Sequence, residues 1–188
     1  GTEQFCYLWG DSGAGKTHLL QALSHTSETA VYLPLQLLQE YGPASLDGLE
    51  AFSFLVLDDV QLIAGKRDWE EKLFYLFNAL HSKQGKLCLA ANVNPASLSL
   101  VLADLKSRLQ LAVIFEVKEL HEAGKQQALV QQAAQRGIEL KPEVASYIMS
   151  RNPRSMHELT AVLKQLDTLS LAEKRRITIP FVKDICHW

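Results

Sequence analysis

Short apolar runs recur along this chain at residues 5–9, 30–33, 54–57, 87–91 and 112–117, each with the length and composition of a buried strand. Longer amphipathic stretches separate them. The clearest covers about 68–84, where Trp69, Leu73, Leu76, Phe77 and Leu80 recur at three- and four-residue steps and form the stripe of one buried helix face. Alternating strands and helices predict an α/β fold on a parallel sheet covered on both faces, with function gathered in the loops at the carboxyl ends of the strands. After Val117 the strand pattern stops, and three helical segments are predicted: 121–136 ending at Gly137, 142–150 opening with Pro142, and 154–169 carrying Met156, Leu159, Val162, Leu163 and Leu166. The chain therefore divides into an α/β base over 1–118 and a small helical subdomain over 119–188.

The richest stretch for chemistry joins the first apolar run to a helix-like segment. Gly10-Asp11-Ser12-Gly13-Ala14-Gly15-Lys16-Thr17 is a complete G-x-x-x-x-G-K-[ST] loop, followed by His18, Leu19, Leu20 and Leu23. Glycines let the backbone turn so that successive N–H groups and the N-terminus of the following helix point at one anionic spot. Lys16 would neutralise a β- or γ-phosphate, and the Thr17 hydroxyl would ligate a bridging Mg²⁺. A nucleotide-binding chain is the expectation.

Phe54-Leu-Val-Leu-Asp58-Asp59 is an apolar strand ending in two carboxylates, Asp58 on the metal side and Asp59 placed to polarise an attacking water. Leu87-Cys-Leu-Ala-Ala-Asn92 ends in an amide that either reaches the γ-phosphate or lytic water, or merely starts the turn Val93-Asn94-Pro95. Arg108, in Asp104-Leu-Lys-Ser-Arg-Leu109, is explained on the residues alone as a solvated arginine; the alternative is an arginine finger projected into a neighbour's site. Arg154 precedes the capping-box pattern Ser155-x-x-Glu158, where a cation at a helix start calls for a compensating anion, bound phosphate or Glu158.

Composition removes several classes. With 188 residues, 47% of them hydrophobic, the chain can bury one substantial core and a small second cluster. A net charge of −2, with no basic block longer than Lys174-Arg175-Arg176, lacks the footprint of a dedicated nucleic-acid binder, and that triplet reads as a solvated turn. No run approaches the roughly 18 to 20 apolar residues of a membrane span, and no signal-peptide pattern opens the chain, so the expected address is cytoplasmic. Three scattered cysteines make no disulfide framework, and Cys186 beside His187 lacks metal-ligand spacing.

Taken in order, GDSGAGKTHLL, FLVLDDVQLIAGK, LAANVNP, DLKSRL and RNPRSMHEL resemble the AAA+ domain of the DnaA/Hda family of bacterial replication proteins, the Hda regulators more closely than the DnaA initiators, over nearly the whole chain. The resemblance implies that Lys16 and Thr17 are the Walker A pair, Asp58 and Asp59 the Walker B pair, Asn92 sensor 1, Arg108 the arginine finger and Arg154 sensor 2. It also implies a five-stranded sheet of order 5-1-4-3-2 and a helical lid over the nucleotide. Asn92 departs from the acidic residue common at that point. The stretch from Tyr32 to Asp58 is shorter than in the initiators, leaving little room for the helix they insert there to engage single-stranded DNA, and no helix-turn-helix follows the lid. Absence of sequence-specific DNA binding is therefore expected.

Regulators of this kind are implied to bind ADP, associate with the DNA-loaded sliding clamp and stimulate hydrolysis of ATP bound to DnaA, with weak or no ATPase of their own and with nucleotide-dependent self-association as an option. Clamp binding in the family uses an N-terminal Gln-Leu peptide, and nothing before Phe5 resembles it; the chain starts only a few residues before its first strand, so a further segment upstream is expected. Gln165-Leu-Asp-Thr-Leu169 is a look-alike, but Leu166 and Leu169 continue a helical core stripe. A DNA-engaging initiator or helicase loader would need a basic groove. A small-molecule kinase shares only the phosphate loop, whereas the adjacent Asp58 and Asp59, the Ser107-Arg108-Leu109 box and the late Arg154 favour AAA+.

Overall fold

All five apolar runs fold as strands: β1 (Phe5–Trp9), β2 (Ala30–Pro34), β3 (Phe54–Asp58), β4 (Lys86–Ala91) and β5 (Val113–Glu116). The structure, a computed structural model, describes residues 4–151 and 155–188. Every neighbouring pair is parallel, in the order β2-β3-β4-β1-β5, which is the 5-1-4-3-2 arrangement implied by the sequence. Because parallel neighbours need crossovers, helices fill the gaps: α1 (Lys16–His25), α2 (Leu35–Leu38), α3 (Arg67–Ser82) and α4 (Ala103–Gln110). Residues 35–51 hold only the one-turn α2 and three short 3₁₀ turns.

Strand alternation sends side chains to two separate cores. Tyr7, Leu55, Leu57, Leu87 and Leu89 pack with Leu73, Leu76, Phe77 and Leu80 of α3 and with Leu105 and Leu109 of α4. On the opposite face Val56, Cys88 and Ala90 meet Leu20 of α1, with Cys6, Leu8 and Tyr32 at the margin. Cys6 and Cys88 are in register across β1 and β4 and form no disulfide. Their mutual hydrogen bond, and then burial, hold the Cys88 thiol above its ordinary range, which leaves it a small apolar packer rather than a nucleophile.

The first compact unit ends at Lys118, and Glu119–Trp188 forms a second. This second unit contains α5 (Glu122–Gln135), α6 (Pro142–Arg151), α7 (Met156–Glu173) and α8 (Ile179–Cys186) around its own core of Leu129, Ile148, Leu159, Leu163, Leu166 and Phe181. The sequence predicts three helices here, and four are present among the described residues. The signals for α8 were local: Thr178 Oγ1 caps it by accepting from the Phe181 N–H at 3.4 Å, and Pro180 occupies its first turn. Gly137 ends α5 in the left-handed region at φ 76°, with Ile138 N–H returning to Ala133 O. Leu166 is fully buried in α7 and Leu169 packs against the same core, so Gln165–Leu169 is helical with its leucines turned inward and is not an extended, exposed peptide.

Candidate functional site

The loop after β1 turns through two glycines in the left-handed region, Gly13 (φ 87°) and Gly15 (φ 99°), and Gly15 is the N-cap of α1. Gly10 is constrained differently: an added Cβ would lie 2.1 Å from Val117 O, because the ends of β1 and β5 close over it and Val117 N–H donates to Trp9 O at 2.7 Å. The first amide of α1 with a backbone acceptor is Leu19, on Gly15 O. Those of Lys16, Thr17 and His18 have no backbone acceptor among the described residues, so the donor set a phosphate requires is present at a helix N-terminus. Asp11, Ser12, Thr17 and His18 are exposed, whereas Ala14 and Lys16 are buried.

Lys16, only 8% exposed, donates from Nζ to Gly10 O (2.7 Å) and Asp11 O (2.9 Å), so its charge is aimed along the loop. Burial lowers its pKa from 10.5 against the opposing pull of Asp58, Asp59 and Asp11. Asp58, at the end of β3, is nearly buried and fully engaged: Oδ2 accepts from Thr17 Oγ1 (2.6 Å) and Tyr32 OH (2.9 Å), and Oδ1 accepts from Asp59 N–H (3.0 Å). β2 and β3 pair so that Pro34 faces Asp58, which places Tyr32, Asp58 and Thr17 on the α1 face of the sheet. Burial, followed by the bond to Asp58, raises the Tyr32 hydroxyl above its ordinary range. Among the described residues no three His, Cys, Asp or Glu side chains converge as a metal cage. A divalent cation here would rely on Thr17, Asp58 and phosphate oxygens, the donor types Mg²⁺ takes.

Asp59 sits in the left-handed region at φ 62° and is the N-cap of the 3₁₀ turn that follows β3. Its Oδ1 accepts from Gln61 Nε2 (2.9 Å), and Gln61 Oε1 accepts from the N–H of Asn92 (3.1 Å). The Asn92 side chain is exposed at the end of β4. Tyr7, fully buried, steadies the same loop by donating to Val93 O at 3.0 Å. The structure thus brings Lys16, Thr17, Asp58 and Asp59 together, and ties Asn92 to them through Gln61.

Arg108 lies in the last turn of α4, half-buried, with no hydrogen-bond or ion-pair partner among the described residues. Arg154 lies outside the described residues. The capping box beside it is formed: Ser155 Oγ accepts from Glu158 N–H, and Glu158 Oε2 accepts from Ser155 N–H, both at 3.2 Å. The roles of Tyr32, Tyr7 and Gln61 depend on partners brought near by the sheet, Asp58 on β3 for Tyr32 and the segment just after β4 for Tyr7 and Gln61. Only Gln61, two residues beyond the paired aspartates, carried a local signal.

Comparison with known proteins agrees with this architecture. Residues 47–116 match the model of the bacterial DnaA ATPase domain and residues 122–186 that of the Hda lid domain. An uncharacterised protein of Haemophilus influenzae is 41% identical over 98% of this chain and 82% of its own length. The chain belongs to the DnaA/Hda family. Domain III of Thermotoga maritima DnaA superposes with a TM-score of 0.80 over 99% of this chain and 84% of that one, at 19% identity. A DnaA bound to AMPPCP and single-stranded DNA superposes at 0.70, over 92% of this chain and 60% of the other, at 24% identity. This family member therefore has the AAA+ fold and spans about three fifths of that initiator chain. Among the described residues no helix is long and apolar enough to cross a membrane.

Proposed function

We propose that this chain binds ADP with Mg²⁺ in its phosphate loop and acts as a nucleotide-gated regulator, stimulating hydrolysis of ATP bound to DnaA in concert with the DNA-loaded sliding clamp. Gly10 to His18 would hold the phosphates, Thr17 and Asp58 the cation, and Arg154 the nucleotide from the second unit, the α-helical lid over 119–188. The bound cation would neutralise phosphate charge, with Thr17 and Asp58 supplying its protein ligands. Asp59, with one oxygen already occupied by Gln61, is a constrained base, which fits weak ATPase activity in this chain.

The observation that carries the reading is that the guanidinium of Arg108 has no partner among the described residues. A half-buried arginine with no anion beside it among the described residues is expected to gain one elsewhere, and its position at the end of a short helix before the edge strand β5 suits a neighbour's phosphates. A finger acting in trans stabilises charge that grows only in the transition state and is worth about 10³ to 10⁵ in rate in GTPases. The Hda lid match over 122–186 supports the regulator over the initiator.

The test is turnover of DnaA-bound ATP in the presence of loaded clamp, with wild type, Arg108→Ala and Arg108→Lys at matched ADP occupancy. Arg108→Ala should keep ADP affinity and lose stimulation by at least about tenfold, and lysine should not restore it because it lacks the planar fork. Full stimulation by Arg108→Ala would return this side chain to the role of a surface arginine.

A further inference from the structure

Glu70 occupies the apolar stripe of α3, a turn before Leu73, and is fully buried. Its neighbour Glu71 is exposed and pairs with Arg67 at 2.8 Å, as a helix-surface carboxylate ordinarily does. Glu70 instead accepts three backbone N–H bonds. Oε1 takes Gly65 (2.7 Å) and Val101 (3.1 Å), and Oε2 takes Leu102 (2.7 Å). Two of these donors lie 31 and 32 residues away in sequence.

Leu102 is the N-cap of α4, and its side chain cannot accept a hydrogen bond. The N-cap amide of that helix and the amide before it are thus held from another element, by a carboxylate buried in the core. α4 is only eight residues long, its inner face is held by Leu105 and Leu109, and Arg108 stands beside Leu109 in its last turn. A helix of two turns has little stability of its own, so the anchor at its start also governs where its end points.

We propose that Glu70 is a positioning residue for Arg108: from α3 it anchors the N-cap end of α4, ties Val101 and Leu102 to the turn at Gly65, and thereby fixes the direction in which the guanidinium is presented to a partner's phosphates. The functional half rests on the trans role of Arg108 proposed above; the hold on α4 stands on its own geometry. A carboxylate suits the position because both oxygens accept. Glutamine, with the same shape, turns an N–H₂ toward one of the three donors and leaves that donor unmet.

The experiment compares wild type, Glu70→Gln, Arg108→Ala and the double variant of the full chain by two readouts. Backbone hydrogen exchange should show the α4 amides of Glu70→Gln exchanging on the order of tenfold faster, with β1 and β4 unchanged, as loss of one hydrogen bond to a charged group predicts. Stimulation of DnaA-bound ATP hydrolysis should fall by a similar factor in Glu70→Gln, while the same change in the Arg108→Ala background adds less than about twofold. Unchanged exchange in α4, or loss of protection spread evenly through the α/β unit, overturns the anchoring. Equal losses in both backgrounds overturn action through Arg108. Full stimulation by Arg108→Ala defeats the trans-finger reading and with it the functional half, and exchange then decides the anchoring alone.

Discussion

Two glycines of one loop should fail in different ways when changed to alanine, because different physical constraints fix them. At Gly10 an added Cβ would stand 2.1 Å from Val117 O and 3.1 Å from Val117 C, against backbone that cannot swing aside. Overpacking that side chains can absorb costs about 1–3 kcal/mol. Here the sheet itself must open between β1 and β5, so Gly10→Ala should cost at least about 3 kcal/mol, a large part of the roughly 5–15 kcal/mol that stabilises a domain. At Gly15 a Cβ meets nothing within 4 Å, but φ is 99°. That conformation costs an L-residue about 1–2 kcal/mol, partly offset by about 0.4–1 kcal/mol from stiffening the unfolded chain, leaving a net loss near 1 kcal/mol. Gly15→Ala should therefore spare the fold and damage nucleotide binding, since Gly15 is the N-cap that aims the α1 amides. Denaturant unfolding followed by fluorescence in a Trp188→Phe background reads the first unit through Trp9 and Trp69. A Gly10→Ala protein within about 1 kcal/mol of wild type, or one less affected than Gly15→Ala, would refute the reasoning.

Lys16→Ala should abolish ADP retention in calorimetric titration while the chain still folds, and unchanged affinity would remove the phosphate-loop reading. Burial lowers the folded pKa of Lys16 below 10.5, so its charge burdens the ligand-free fold at neutral pH, and that burden lifts as pH rises through the folded value toward 10.5. Lys16→Met should flatten that limb of the stability curve, and an identical curve in the variant would place the ammonium in solvent. Tyr32→Phe removes one of the two hydroxyls on Asp58 Oδ2 and should cost about 1.5 kcal/mol in the first unit; equal denaturation midpoints would show the bond contributes nothing. Ser155→Ala opens the capping box at the start of α7 and should cost about 1 kcal/mol in the second unit, followed through Trp188, with no shift in the first.

Adjacent residues were sufficient for everything whose cause is local. The strand runs, the stripe of α3, the glycine turn and the helix N-terminus with Lys16 and Thr17, the carboxylates ending β3 and the Ser155 cap each follow from spacing or backbone restriction within a few residues. α8 was equally legible, and Thr178 and Pro180 marked it. Glu70 was half legible: a carboxylate on an apolar stripe demands partners, but nothing near it says which. The partners themselves came only with the tertiary structure. Tyr32 meets Asp58 because β2 lies beside β3 in one register, Gln61 reaches Asn92 because β3 lies beside β4, and Glu70 finds Leu102 because α3 and α4 pack on the same face. Gly10 needs to be glycine because β5, more than 100 residues later, closes on β1. A side chain's periodicity fixes which way it points, whereas strand order and register fix what it meets there, and those depend on how the whole chain buries its apolar faces at once.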